Sequence, residues 1–177
     1  MVSLITLALF ASSAIAGPVA RRQVPEPIYP NWTWQVEHWE AGCGRRGCYY
    51  LFNVTVPSVE GKIDGVKAYC QGYEQGYENS FTVPSTYTEC KTLEGLDHTV
   101  AARLSLRENA GSDYPQRIQV SFQKAPSNDL PGTNYTALHE AKYNQFVSRP
   151  LNFTMVPTTA LVVTGVAPPP DTPVSSQ

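Results

Sequence analysis

Charge is scarce and evenly split in this 177-residue chain, with 13 Lys and Arg against 15 Asp and Glu. No basic excess exists to neutralise phosphates, which argues against a nucleic-acid binder. No apolar run reaches the roughly 20 residues that cross a bilayer as a helix. There is no collagen repeat and no sustained heptad pattern. The motifs G-x-S-x-G, H-E-x-x-H and G-x-x-x-x-G-K-[ST] are all missing, so the commonest hydrolase templates and the P-loop find no purchase. No C-x-x-C pair is present, and the cysteine spacing does not fit a structural zinc site. The sequence therefore names no catalytic residue, metal or cofactor. Length alone suits one domain.

What the chain does contain points to the secretory route. Residues 1–16 run from Met1 through an apolar core, Leu4 to Ala11, to Ala14-Ile15-Ala16. This A-x-A exit after a short apolar core is a signal peptide, with processing expected at Ala16. Arg21-Arg22 follows, a dibasic pair that resembles a kexin-type processing site at Arg22. Residues 17–28 then read as a possible propeptide and flexible N-terminus. Cleavage after Arg22 would leave 11 basic residues against all 15 acids, a net charge of −4. At the far end, residues 167–177 hold Pro168-Pro169-Pro170 and Pro173, which remove backbone donors and fix φ. They read as a disordered tail. That tail lacks the hydrophobic end of a lipid-anchor signal, so the protein is expected to be released without a membrane anchor.

The four cysteines are Cys43, Cys48, Cys70 and Cys90. An even count in a small secreted domain implies two disulfides. The favoured pairing is Cys43–Cys48, across Gly44-Arg45-Arg46-Gly47, and Cys70–Cys90. Crossed pairing of the first two with the last two is the alternative. Closing the 20-residue loop would contribute about 3 kcal/mol in the chain-entropy model. Four Asn-x-Thr sequons begin at Asn31, Asn53, Asn134 and Asn152. Each is a candidate glycan acceptor and therefore marks an outward-facing position.

Between residues 29 and 166 the hydrophobic pattern has a period of two. Trp32, Trp34 and Val36 alternate with polar residues. So do Tyr50, Phe52, Val54 and Val56, then Val66, Ala68 and Cys70. The runs Val100 to Leu106 and Ile118 to Phe122 behave alike, and 151–155 and 160–166 add two more strands. Turn signals at 57–61, 94–95, 109–112 and 131–132 separate them. The expected fold is all-β: an antiparallel sandwich or barrel of seven or more strands, reinforced by disulfides. Residues 135–146 fit a short helix or a strand, and the strand suits their neighbours better.

Three features suggest binding. Gln71-Gly-Tyr-Glu74 repeats as Gln75-Gly-Tyr-Glu78. Gly at every fourth position reads as a loop, which would display Tyr73 and Tyr77 as contact residues. Trp39 is the third candidate, because by strand parity it lies on the face opposite Trp32 and Trp34. Exposed Trp and Tyr would also suit a carbohydrate or cell-wall binding module. Glu37-His38 and His139-Glu140 are sequence neighbours and so point to opposite sides of a strand, which assembles no dyad; His38 reads as a half-buried strand residue.

The segments Trp34-Gln-Val-Glu-His-Trp39, Cys43 to Cys48 followed by Tyr-Tyr-Leu-Phe-Asn-Val54, Val66 to Cys70, Cys90, Val100 to Leu106 and Ile118 to Phe122 together resemble the Alt a 1-like group of small secreted fungal allergens and effectors. The likeness spans about residues 32 to 123. It departs from the group's pattern in having no Cys after Cys90. The resemblance implies a β-barrel that acts without enzymatic chemistry, through contact with a host protein in the plant apoplast, to elicit or suppress defence.

Overall fold

The computed structural model describes residues 26–44, 47–75, 86–95, 97–105, 116–126, 132–144 and 150–163. The signal-peptide, dibasic and Pro-rich-tail readings, together with Tyr77, lie outside these residues. The described residues form ten strands, of which β4 and β5 are not among the period-two segments: β1 (Trp34–Gly44), β2 (Gly47–Val56), β3 (Val66–Gln75), β4 (Thr88–Glu89), β5 (Lys91–Glu94), β6 (Thr99–Ser105), β7 (Arg117–Lys124), β8 (Thr133–Glu140), β9 (Leu151–Met155) and β10 (Pro157–Val162). No described residue is helical. Residues 133–140 are a strand paired on both sides, to β7 and to β10.

All pairings are antiparallel, in two five-stranded sheets of order β5-β3-β2-β1-β9 and β10-β8-β7-β6-β4. At each lateral edge one chain segment serves both sheets. Between β4 and β5 only Cys90 intervenes, and between β9 and β10 only Val156. The sandwich is thereby joined along both sides, in the manner of a flattened barrel.

The inward faces supply the core. Val36, Phe52, Val54, Val66 and Ala68 of the first sheet meet Val100, Ala102, Leu104, Ile118, Val120 and Phe122 of the second, each almost wholly buried. The Tyr50 hydroxyl crosses between sheets and donates to the Ala102 carbonyl at 2.8 Å. Both expected disulfides are present, Cys43–Cys48 across the β1–β2 hairpin and Cys70–Cys90 from β3 to the β4–β5 junction.

The structure corrects two strand assignments. Residues 71–75 are not loop. They continue β3, in ten unbroken pairs with β2 that run from Gly47↔Gln75 to Val56↔Val66. Gly72 sits there for space: a Cβ would fall 2.4 Å from the Tyr50 ring, so the glycine admits that ring without interrupting the ladder. The second correction concerns parity in β1. Glu37 pairs with Asn53 but Glu40 with Leu51, and Val36 pairs with Phe153 but Trp39 with Leu151. One extra residue, a β-bulge, therefore lies in β1, and His38 takes φ 56° there. The bulge shifts the alternation by one, so Trp39 turns inward with Trp34 and Val36.

Trp32 anchors the end of the sandwich beneath β1. Its ring makes edge contacts with Tyr29, Trp34, Phe122 and Tyr135, at centroid distances of 5.0–6.0 Å. Its indole N–H donates to the Pro57 carbonyl at 2.8 Å. Beside it, Glu26 and Lys124 form a buried ion pair. Tyr29 donates to the same carboxylate at 3.0 Å, and Tyr135 lies 3.4 Å from it. Burial first, and then the negative charge of Glu26, push the Tyr29 hydroxyl up to about 12. The same two influences raise Tyr135.

Trp32→Ala is expected to cost about 3–5 kcal/mol. Trp32→Phe should cost less, chiefly the roughly 1 kcal/mol hydrogen bond to Pro57. Urea unfolding followed by intrinsic fluorescence measures both, and equal midpoints for the wild type and Trp32→Ala would show that this cluster is not an anchor.

Candidate functional site

Strand alternation that sends Tyr50, Phe52 and Cys70 inward sends Tyr49, Leu51, Tyr69, Gln71 and Tyr73 outward on the first sheet. Across β2 and β3, Tyr49 faces Tyr73, Leu51 faces Gln71 and Asn53 faces Tyr69. A shallow depression of about 350 Å³ is lined by Tyr49, Leu51, Gln71, Gly72 and Tyr73. Tyr73 is 54% exposed, and Leu93 on the neighbouring β5 is 51% exposed. Tyr49 is fixed by donating to the Glu40 carboxylate at 3.0 Å. Partial burial and then Glu40 raise its hydroxyl above the ordinary tyrosine value. Tyr69 donates to the Gln71 side chain at 3.3 Å. Lys67 and Glu94 close one end with an exposed ion pair at 3.0 Å. The result is an apolar, hydroxyl-bearing strip on paired strands.

Of the expected contact residues, Tyr73 and Trp39 are among the described residues; Tyr73 reaches this surface, and it does so from a strand. Trp39 does not. It is fully buried, and its indole N–H donates to the Lys142 carbonyl at 2.7 Å. Trp32 and Trp34 are core residues too. A sugar-stacking platform built on tryptophan is therefore not present. Tyr49, Leu51 and Tyr69 escaped the sequence reading. Their signal was an aromatic or apolar residue at both parities of one strand, as in Tyr49-Tyr50-Leu51-Phe52, which marks a strand with something to show on each face.

The other expected sites fall as follows. Asn31 and Asn152 are exposed; Asn53 and Asn134 are half-buried. Asn31 adopts φ 60°, a conformation asparagine tolerates. Ala16 and Arg22 lie outside the described residues. The two disulfides point to an oxidising, extracellular environment. Gly42, Gly44 and Gly47 have the spacing of a dinucleotide-binding loop. They sit in a disulfide-clipped antiparallel hairpin, with no helix to offer its N-terminus to a phosphate.

The histidines are dispersed. His38 is exposed at the bulge, contrary to the half-buried strand position expected of it. His139 stacks on Phe153 at 4.1 Å, and burial, followed by nearby Lys142, lowers its pKa. His98 is buried at the rim of a polar depression of about 340 Å³ that also involves Lys62, Asp64, Asp97 and Lys124. The Ala125 N–H donates to His98 Nδ1 at 3.2 Å, which places the proton of a neutral ring on Nε2. That lining holds no hydroxyl or thiol nucleophile. Among the described residues no three His, Cys, Asp or Glu gather as metal ligands.

One acid faces inward behind the tyrosine strip. Glu74 is 6% exposed, and burial raises its carboxyl above the usual range; the Leu104 N–H and Arg103 act the other way. The folded state thus binds this proton more tightly than the unfolded chain does. Its stabilising influence is complete below the unfolded carboxylate range and is lost as pH rises through the folded value. Glu74→Gln is expected to raise Tm by a few degrees at neutral pH, and to leave it unchanged below about pH 4. A thermal-melt series across pH checks this; a gain that persists unchanged into acid would contradict it.

Compared with known proteins, the chain matches no family model, no curated protein and no solved structure.

Proposed function

We propose that the chain is a secreted, non-enzymatic, effector-like protein that acts by binding a host protein, and that the tyrosine strip of the first sheet is the contact surface. The observation that carries this reading is the exposure of Tyr73 beside Tyr49, Leu51 and Tyr69 on one rigid strand pair. Tyrosine offers large apolar area with a polar tip, and it loses little side-chain entropy on binding. The leader-like N-terminus, the two disulfides and the sequons support an extracellular place of work. The resemblance to the Alt a 1-like group supports a plant apoplast and an effect on defence. Absence of the standard enzyme motifs in the sequence favours binding over turnover.

The test compares wild type, a Tyr69→Ala/Tyr73→Ala variant and Leu161→Ala, a control on the second sheet that is 65% exposed. Each protein is infiltrated into leaf tissue, and binding to co-purified apoplastic proteins is quantified. The wild type and the control should give a response and retain the same partner, with at least a tenfold loss in the tyrosine variant. An equal partner and response for all three would remove this face from the function. No response and no partner would remove the function itself. Tyrosine-dependent retention on chitin, cellulose or glucan would replace the protein partner with a sugar.

A further inference from the structure

The β1 bulge brings two sequons together around one histidine. The backbone N–H of His38 donates to Asn152 Oδ1 at 3.0 Å. The His38 ring nitrogen Nδ1 lies 3.4 Å from Asn53 Nδ2. Asn53-Val54-Thr55 and Asn152-Phe153-Thr154 are both complete acceptor sequences. Asn53 is on β2 and Asn152 on β9, the two neighbours of β1. At the usual strand spacing they stand about 10 Å apart. Each alternates with inward residues, Phe52 and Val54 or Phe153 and Met155, so both leave the same outer face.

We propose that Asn53 and Asn152 both carry N-linked glycans over the His38 bulge, that Asn152 also holds the bulge through its carbonyl oxygen, and that the sugars shield the β1–β9 half of the face and the Asn53–Tyr69 end of the strip, while the Tyr49–Tyr73 end stays open. This rests on the secretory reading above. In the modification, a lipid-pyrophosphate-linked oligosaccharide is the donor. The C1–O bond to the pyrophosphate breaks as C1–Nδ2 forms, and the amide gives up one proton as the lipid pyrophosphate departs. Oδ1 is untouched, so Asn152 can still accept from His38. One N–H remains on Asn53 to face the His38 ring. The two duties are therefore compatible on the same side chain. A left-handed φ at a non-glycine residue is costly, and an acceptor for the His38 N–H is what this geometry needs.

The full chain is produced in a eukaryotic secretory host behind a replacement leader, so that the outcome does not depend on the native N-terminus. Thr55→Ala and Thr154→Ala remove each sequon but keep its asparagine; Asn152→Ala removes both sequon and acceptor. Glycopeptide mass spectrometry should find both asparagines modified in the wild type and one site lost in each threonine variant. After enzymatic trimming to the first sugar, Thr154→Ala should melt with the wild type and Asn152→Ala about 2–5 °C lower. Hydroxyl-radical labelling of His38 should rise in the Thr55→Ala/Thr154→Ala double variant, with Tyr73 unchanged. Secreted protein with an unmodified Asn53 or Asn152 overturns the glycan assignment. Equal melting of Asn152→Ala and Thr154→Ala overturns the bulge-holding role. Equal His38 labelling overturns the shield. A glycosylated protein with no partner leaves this proposal standing and defeats the binding function; an active protein with bare asparagines does the reverse.

Discussion

One extra residue in β1 sets the character of the first sheet. Strand side chains alternate strictly, so an insertion of one exchanges the faces of everything beyond it. Before the bulge, Trp34 and Val36 point inward; after it, Trp39 and Ala41 do. Without it, Trp39 would stand in solvent, and the core would lose its packing against Phe52 and Phe153, at 5.5 and 5.7 Å. The outward set would change as well, including Glu40, which fixes Tyr49. Core and surface are thus tied to the same irregularity.

Beside the start of β1 the core holds a charged pair. Glu26 and Lys124 are almost wholly out of water. A buried pair of this kind contributes little net stability compared with apolar neighbours, but losing either partner strands a charge. The two tyrosine hydroxyls on Glu26 share its negative charge. The cluster ties residues before β1 to the last residue of β7 and to the middle of β8, and gives the chain entry to the domain one position.

Much of this fold was legible because its dominant signal is the simplest one. Burial of alternate residues writes a period of two, and it marked the all-β class, the strands around Trp34–Val36, Tyr50–Val56, Val66–Cys70, Val100–Leu104 and Ile118–Phe122, and the strand preferred for 135–146, of which 135–140 is strand; the short β4 and β5, with two and four residues, carry too few alternations to show. Cysteine spacing gave the two bridges for a related reason: a six-residue span with glycine at both ends closes locally. The bulge left no such mark. His38 is not a glycine, and the partner of its backbone N–H, Asn152, lies on another strand far along the chain. Gly72 misled in the opposite direction. Glycine usually signals a break, yet here it makes room for a tyrosine from the next strand. The exposed tyrosine strip was partly legible: Tyr73 was expected to be displayed, though on a loop, while Tyr49, Leu51 and Tyr69 require a register to show that they converge.

The joining of the sheets at Cys90 and at Val156 has a consequence for how the surface meets another molecule. A sandwich whose layers are connected only by long loops can shear or splay. Here each lateral edge is a continuous run of backbone with a single residue at the corner, and Cys70–Cys90 adds a covalent tie at one of them. Relative sliding of the sheets would have to break ladder hydrogen bonds on both sides at once. The outer face is therefore held in shape before any encounter, and little backbone freedom remains to be given up on docking. For the partner proposed above, the ordering cost on docking would then fall mainly on the side chains of the strip and little on the backbone.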